Sequence, residues 1–176
     1  MPPTRLTPQH APEYRALMLE AYAQHPDAFT SSAAERAQLP VAWWEDRLAA
    51  GEMPQEIVFG CFTDGVLSGV AGLAFETREK VKHKATLFGM YVPTRHRNLG
   101  LGSKLLATAL TYARTRPGVL LVQLTVTDGN TAAQSLYERH GFLPFGLEPF
   151  AVAVGSGYVS KSHLWCALES LPEYSF

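Results

Sequence analysis

Met90-Tyr91-Val92-Pro93-Thr94-Arg95-His96-Arg97-Asn98-Leu99-Gly100-Leu101-Gly102-Ser103-Lys104-Leu105-Leu106 reads as a strand that runs into a basic, glycine-containing loop and then opens a helix. The first turn of a helix presents N–H groups without intrahelical partners and a partial positive charge. Gly100 and Gly102 carry no Cβ, so an anion can approach the backbone closely. Arg95, His96, Arg97 and Lys104 add positive potential. Together these features describe a phosphate or pyrophosphate site. It is not a Walker A loop, because Gly102-Ser103-Lys104 has the wrong order and spacing. It is not a dinucleotide fingerprint either, because Leu105 stands where a third glycine or alanine is needed.

Outward from this stretch the chain alternates strand and helix. The helix is expected from about Ser103 to Arg114, with Leu105, Leu106, Ala109, Tyr112 and Ala113 on its apolar face. Pro117-Gly118 breaks the chain, and Val119 to Val126 is apolar enough to be a strand buried on both faces. Asn130 to His140 reads as a short helix, with Asn130 as N-cap and Gly141 as stop. Tyr137 shares the apolar face of that helix with Ala133 and Leu136, so its pattern alone says core. Two final strands are expected at Phe145–Val154 and Tyr158–Leu168, joined through Gly155-Ser156-Gly157.

Upstream, Ala85–Val92 is a strand ended by Pro93, preceded by a polar connection over 77–84. Ile57–Phe62 and Val66–Phe75 form a hairpin about Asp64-Gly65. A short strand at Arg5-Leu6 precedes a helix capped at Thr7 and ended before Pro26. Ser32-Ala33-Ala34-Glu35 fits a capping box, and Val41 to Ala50 reads as a further helix stopped by Gly51. The core order, β-α-α-β-β-β-α-β-α-β-β, implies a mixed sheet with one parallel pair and helices on both faces.

Arg97-Asn98-Leu99-Gly100-Leu101-Gly102 is R-x-x-G-x-G. With it, the sequence resembles the GNAT superfamily of N-acetyltransferases, whose acetyl-CoA motif is Q/R-x-x-G-x-G/A after the fourth strand. The segment from Leu124 to Phe142 is similar to the next motif of that family: a strand, then Asn130, Ala132-Ala133, Leu136-Tyr137 and Gly141-Phe142. The resemblance implies an α/β fold with a mostly antiparallel sheet, its central parallel strands splayed so that acetyl-CoA enters between them. It implies that backbone at Met90, Tyr91 and Val92 pairs with the pantetheine arm. It implies that amides of Arg97, Asn98, Leu99, Gly100, Leu101, Gly102 and Ser103 hold the pyrophosphate. Asn130 would both cap its helix and bond the pantetheine, and Tyr137 would protonate the leaving thiolate. The amine would attack the thioester directly, with the protein supplying position and proton transfers.

Some members of the family carry a glutamate base on the fourth strand, but Ala85–Val92 holds no acid. Glu76, His163 and a water chain are the alternatives for the base. An acyl-CoA sensor without turnover is the alternative function. The acceptor, a small-molecule or peptide amine, would meet the variable stretch Gln24–Gln55 and the turn at Val154–Tyr158. Phe145, Phe150, Val152, Val154, Tyr158 and Trp165 offer apolar area for a homodimer at the C-terminal sheet edge.

Length and composition agree with one domain over 1–176, which the resemblance makes an acetyltransferase domain. The chain has 176 residues, 47% hydrophobic and 18% charged, enough for a single core. Fifteen Lys+Arg against 16 Asp+Glu leave a net charge of -1, without the basic excess of a nucleic-acid binder. No apolar run approaches the roughly 18 residues of a membrane helix, and no signal peptide is read at the start. Two cysteines, Cys61 and Cys166, read as buried thiols of a cytoplasmic protein. The histidines lack metal-ligand spacing, so no metal is expected.

Overall fold

The computed structural model describes residues 2–171. Seven strands form one sheet: β1 (Thr4–Arg5), β2 (Glu56–Thr63), β3 (Val66–Phe75), β4 (Lys84–Tyr91), β5 (Leu121–Thr127), β6 (Leu143–Val154) and β7 (Gly157–Ala167). Their order across the sheet is β1-β2-β3-β4-β5-β7-β6. Every neighbouring pair is antiparallel except β4 with β5, which is parallel. The expected mixed, mostly antiparallel α/β architecture is therefore present. No helix among the described residues is long and apolar enough to cross a membrane.

Five helices cover the sheet: α1 (Ala11–Gln24), α2 (Ala33–Ala37), α3 (Val41–Arg47), α4 (Leu101–Thr115) and α5 (Thr131–Arg139). One core joins α4 and α5 to the face carrying Leu87, Val122, Leu124, Val126, Leu164 and Cys166. A second core packs α1 and α3 on the other face, against Val58, Leu67, Val70 and Tyr91. Both cysteines are buried and free.

Several local expectations hold for the expected reasons. Asp64 and Gly65 take φ of 50° and 78°, the left-handed pair of a two-residue hairpin turn. Ser32 and Glu35 cap each other reciprocally at the start of α2. Others differ. The α3 helix ends at Arg47, three residues before Ala50. The cause is tertiary: Arg47 reaches Glu56 at 2.8 Å, and the carbonyls of Ala49 and Gly51 accept from the Arg5 guanidinium. The α4 helix starts at Leu101 rather than Ser103. Of the two C-terminal strands, β6 alone lies at the edge, since β7 is inserted between it and β5.

The correction that matters most for function concerns β5. It was expected to be buried on both faces, yet only Val122, Leu124, Val126 and its last residue, Thr127, are buried. On the other face Leu121 and Gln123 are half-buried and Thr125 is exposed. The α1–α3 layer packs against β2, β3 and β4, so this face of β5 and β7 is left largely open.

Candidate active site

The parallel pairing of β4 and β5 is short. Lys84, Ala85 and Thr86 pair with Leu121, Val122 and Gln123, and beyond these residues the two strands separate. A bulge helps to part them. Val70 and Gly72 of β3 face Tyr91 and Phe88, so β4 carries one residue more than β3 over this span. Gly89, at φ 59°, supplies the left-handed conformation that such a bulge asks of one residue. Residues 87–91 of β4 thus lie beside a fork whose other arm is Leu124–Thr127.

The basic loop stands at the mouth of this fork. Asn98 and Gly100 take φ of 63° and 71°, and Gly100 is the N-cap of α4. Only glycine, and less readily asparagine, holds that conformation without strain. Lys104 N–H donates to the Gly100 carbonyl at 3.1 Å, which starts the helical ladder. The amides of Leu101, Gly102 and Ser103 precede it and project from the helix end. A Cβ built on Gly100 would meet nothing within 4 Å, so the cradle is open on that side. At Gly102 it would lie 3.2 Å from Leu136, so α4 begins tight against α5. This concave, amide-lined end fits a pyrophosphate.

The residues of the loop are not equivalent. The Arg97 amide closes a turn onto the Thr94 carbonyl at 3.2 Å, so the amide series available to a ligand starts at Asn98, which corrects the expectation for Arg97. The Arg97 guanidinium also folds back, onto the Val92 carbonyl and His25 Nε2, both at 3.2 Å. Arg95, read from sequence as adding positive potential to the loop, pairs with Glu20 at 2.6 Å. Glu20 also accepts from the Tyr91 hydroxyl at 3.1 Å, and Arg95 holds its carboxyl below the usual range. Burial, then Glu20, pushes the Tyr91 phenol up to about 12. This network ties α1 to the end of β4 and to the loop. Leu99 is exposed at the loop's tip, and the Ser103 hydroxyl lies 2.8 Å from His140 Nε2. Burial, then the charge of Arg139, lowers the His140 pKa.

Tyr137 reaches the fork from α5. Its ring packs edge-on against Phe142, and its hydroxyl meets Met90 Sδ at 3.7 Å. A thioether is a weak acceptor. Burial pushes the phenol up to about 12, so it keeps its proton throughout the physiological range. Asn130 Oδ1 accepts from the Ala133 amide at 3.2 Å, which is the cap, and leaves its Nδ2 to donate elsewhere. Met90, Tyr137, Asn130 and the loop are all borne by elements that bound the fork.

The two candidate bases separate. Glu76 pairs with Arg78 at 3.2 Å, and its amide bonds to the Lys84 carbonyl, at the closed end of the β4–β5 pair. Tyr91 stands seven residues further along β4 than Lys84, roughly 23 Å of strand. His163 sits opposite Thr125, just beyond the point where the strands part.

One buried cation escaped the sequence reading. Lys161 is 4% exposed, and its ammonium donates to the carbonyls of Asp27 and Ala28 at 3.2 and 2.9 Å and to Thr127 Oγ1 at 3.0 Å. It pins the loop after α1 over the end of β5. Burial lowers its pKa, opposed by Asp27 and Glu148. Lys161→Met should leave the Ala28 carbonyl and Thr127 Oγ1 without their donor, while the Asp27 carbonyl keeps the Thr127 hydroxyl at 2.8 Å, and should lower stability by about 1–3 kcal/mol, read as a shifted urea midpoint. An unchanged midpoint would contradict this clamp.

A family model described as the acetyltransferase (GNAT) family matches residues 14–142. The chain belongs to this family. A mycothiol acetyltransferase of Salinispora arenicola is 32% identical over 128 residues, which cover 72% of this chain and 39% of that protein. The chain thus spans well under half the length of the curated relatives it matches. A GNAT-family acetyltransferase from Streptococcus pneumoniae superposes with a TM-score of 0.84 at 24% identity, covering 94% of this chain and 98% of that one. The yncA protein of Salmonella typhimurium, solved with acetyl-CoA, superposes with a TM-score of 0.79 at 18% identity, covering 98% and 96% of the two chains. These structural likenesses establish the fold.

Proposed function

We propose that the chain is an acetyl-CoA-dependent N-acetyltransferase, moving an acetyl group from sulfur to a primary amine by direct attack on the thioester. The observation that carries this reading is the juxtaposition of a strand fork, an amide-lined helix start at its mouth and a protonated phenol in its wall. Backbone of Met90, Tyr91 and Val92 would hold the pantetheine arm, and amides from Asn98 to Ser103 the pyrophosphate. Asn130 Nδ2 would donate to a pantetheine carbonyl. Tyr137 would donate its proton toward the sulfur as the carbon–sulfur bond breaks. The amine would arrive over the open face of β5. The cytoplasm is the proposed compartment, where the thiols of Cys61 and Cys166 would stay reduced.

The test is mass-detected acetylation of amino acids, polyamines, aminoglycosides and peptides with acetyl-CoA. An acetylated product with stoichiometric release of CoA is expected. Binding of acetyl-CoA without any product would instead assign an acyl-CoA sensor.

We also propose pairing of two copies through β6. Leu143, Phe145, Leu147, Phe150 and Tyr158 are each more than half exposed along β6 and the start of β7. An edge strand with such side chains tends to be covered. Val152, Val154 and Trp165, expected to join them, are half-buried within the chain. Light scattering at micromolar concentration should give twice the chain mass, and Phe145→Lys with Leu147→Lys should return it to the monomer. A monomer mass for the unaltered chain would reject the pairing.

A further inference from the structure

The open face of the sheet beside the fork carries its own constellation. Directly opposed residues of an antiparallel pair point to one face. Thr125 of β5 opposes His163 of β7, and Gln123 opposes Trp165. Val122, Leu124 and Val126 face α4 and α5, so this set faces away from Tyr137's helix. Thr125 lies two residues beyond Gln123, the last β5 residue paired to β4. His163 is therefore one strand from the fork, just past its vertex. Its side chain is 34% exposed, and its Nε2 lies 2.7 Å from Glu148 Oε2 on β6. The Phe145 ring stands edge-on to the imidazole at 5.8 Å. Half-buried Trp165 and Phe88 bound the same face.

We propose that His163, oriented by Glu148, is the base that deprotonates the acceptor, and that this face receives a primary ammonium carried on a flat apolar substituent. The proposal rests on the acetyltransferase reading and supplies the base that β4 lacks. The carboxylate of Glu148 accepts Nε2–H, which fixes the tautomer and leaves the lone pair on Nδ1. Nδ1 takes one proton from the ammonium nitrogen. The freed electron pair forms the nitrogen–carbon bond, and the carbon–sulfur bond breaks. Tyr137 gives its proton to the sulfur and is reloaded by the second proton that leaves the nitrogen. The products are amide, thiol and one proton, which His163 passes to solvent. Acid and base thus stand on opposite faces of the sheet, one at the leaving group and one at the nucleophile.

The charges around His163 are few. Glu148 comes from β6, and Lys161 lies two residues along β7, buried beneath Asp27 and Ala28. Asp128 follows β5, its carboxylate 3.5 Å from Ser162 Oγ. Residues Gln123 and Thr125 of β5 are uncharged. The acids favour an ammonium here, opposed by the Arg47 guanidinium that lies 4.9 Å over the Phe88 ring, and the aromatic rings favour an apolar body.

The test uses the full chain with acetyl-CoA and phenethylamine. His163→Gln should lower kcat/KM about fivefold at pH 7 and leave acetyl-CoA affinity by calorimetry unchanged. The deficit should close as pH rises and the amine loses its proton in solution. Glu148→Gln should shift the His163 ring-nitrogen resonances away from the Nε2–H tautomer, and Glu148→Asp should restore them in part. A deficit constant with pH, a tautomer unmoved by Glu148→Gln, or no acetylation of phenethylamine while other amines react would overturn the dyad. Failure of the unaltered chain to bind acetyl-CoA would overturn the acetyltransferase reading itself, and the dyad with it.

Discussion

Tyr137→Phe should slow the chemical step by about 10²-fold while folding and acetyl-CoA affinity stay almost unchanged. The reason lies in what the hydroxyl touches. It meets only the Met90 thioether at 3.7 Å, so its removal sacrifices little native bonding. The ring keeps its edge-on contact with Phe142, since phenylalanine has the same apolar body. Charge develops on sulfur as the thioester opens, and a phenol at that place can donate to it where a phenyl ring cannot. With its pKa pushed up to about 12 by burial the phenol remains loaded, so no falling limb from this group should enter the rate in the physiological range. The deficit should also shrink for a donor whose leaving thiol is more acidic, because such a thiolate departs without help. Single-turnover assays check this. Full retention of the chemical rate would assign Tyr137 to the core alone.

Gly100→Asp should weaken acetyl-CoA at least tenfold, about 1.4 kcal/mol. Two effects act together. A side chain at φ 71° projects into the space where Gly100 now meets nothing within 4 Å, the side on which a pyrophosphate would lie. The carboxylate then opposes that anion at the positive end of α4. Gly100→Ala adds the Cβ without the charge and should show a smaller loss. Calorimetry on folded variants measures both, and unchanged affinity in Gly100→Asp would remove the loop from the site.

The parts of this fold that local chemistry controls were legible in the sequence. Asp64-Gly65 fixed a hairpin, Ser32 and Glu35 a capping box, and Gly100 with Gly102 the turn into α4. The early end of α3 was not legible, because it depends on Arg5 and Glu56 arriving from β1 and β2. Burial of β5 was misread for a related reason. An apolar run gives the residues that could be covered on two faces, and the reach of the α1–α3 layer decides which are. The uncovered face is where the acceptor reading now rests.

Local geometry of the candidate site was legible where a backbone conformation or a cap carried it, since Gly100 does begin α4 and Asn130 does cap α5. It was not legible where it depends on long-range partners. Arg97 looked like a phosphate ligand by composition, and its amide and guanidinium are both engaged within the chain. Arg95 counted only as added positive potential, and it locks α1 to the loop through Glu20. Lys161, His163 and Trp165 alternate along β7, and that period-two pattern was a signal that one face of the strand differs from the other. It could not say that Lys161 would be buried under the loop after α1, or that Glu148 would meet His163.

In the proposed complex acetyl-CoA lies in the β4–β5 fork with its pyrophosphate on the start of α4. The most direct measurement is titration of the isotope-labelled chain with acetyl-CoA, followed through backbone amide resonances. The largest shifts should fall on Met90 to Val92, on Asn98 to Ser103 and on Asn130, with little change along β1 and β2. Shifts that spare the loop and gather elsewhere, or saturating acetyl-CoA that moves no amide, would contradict it.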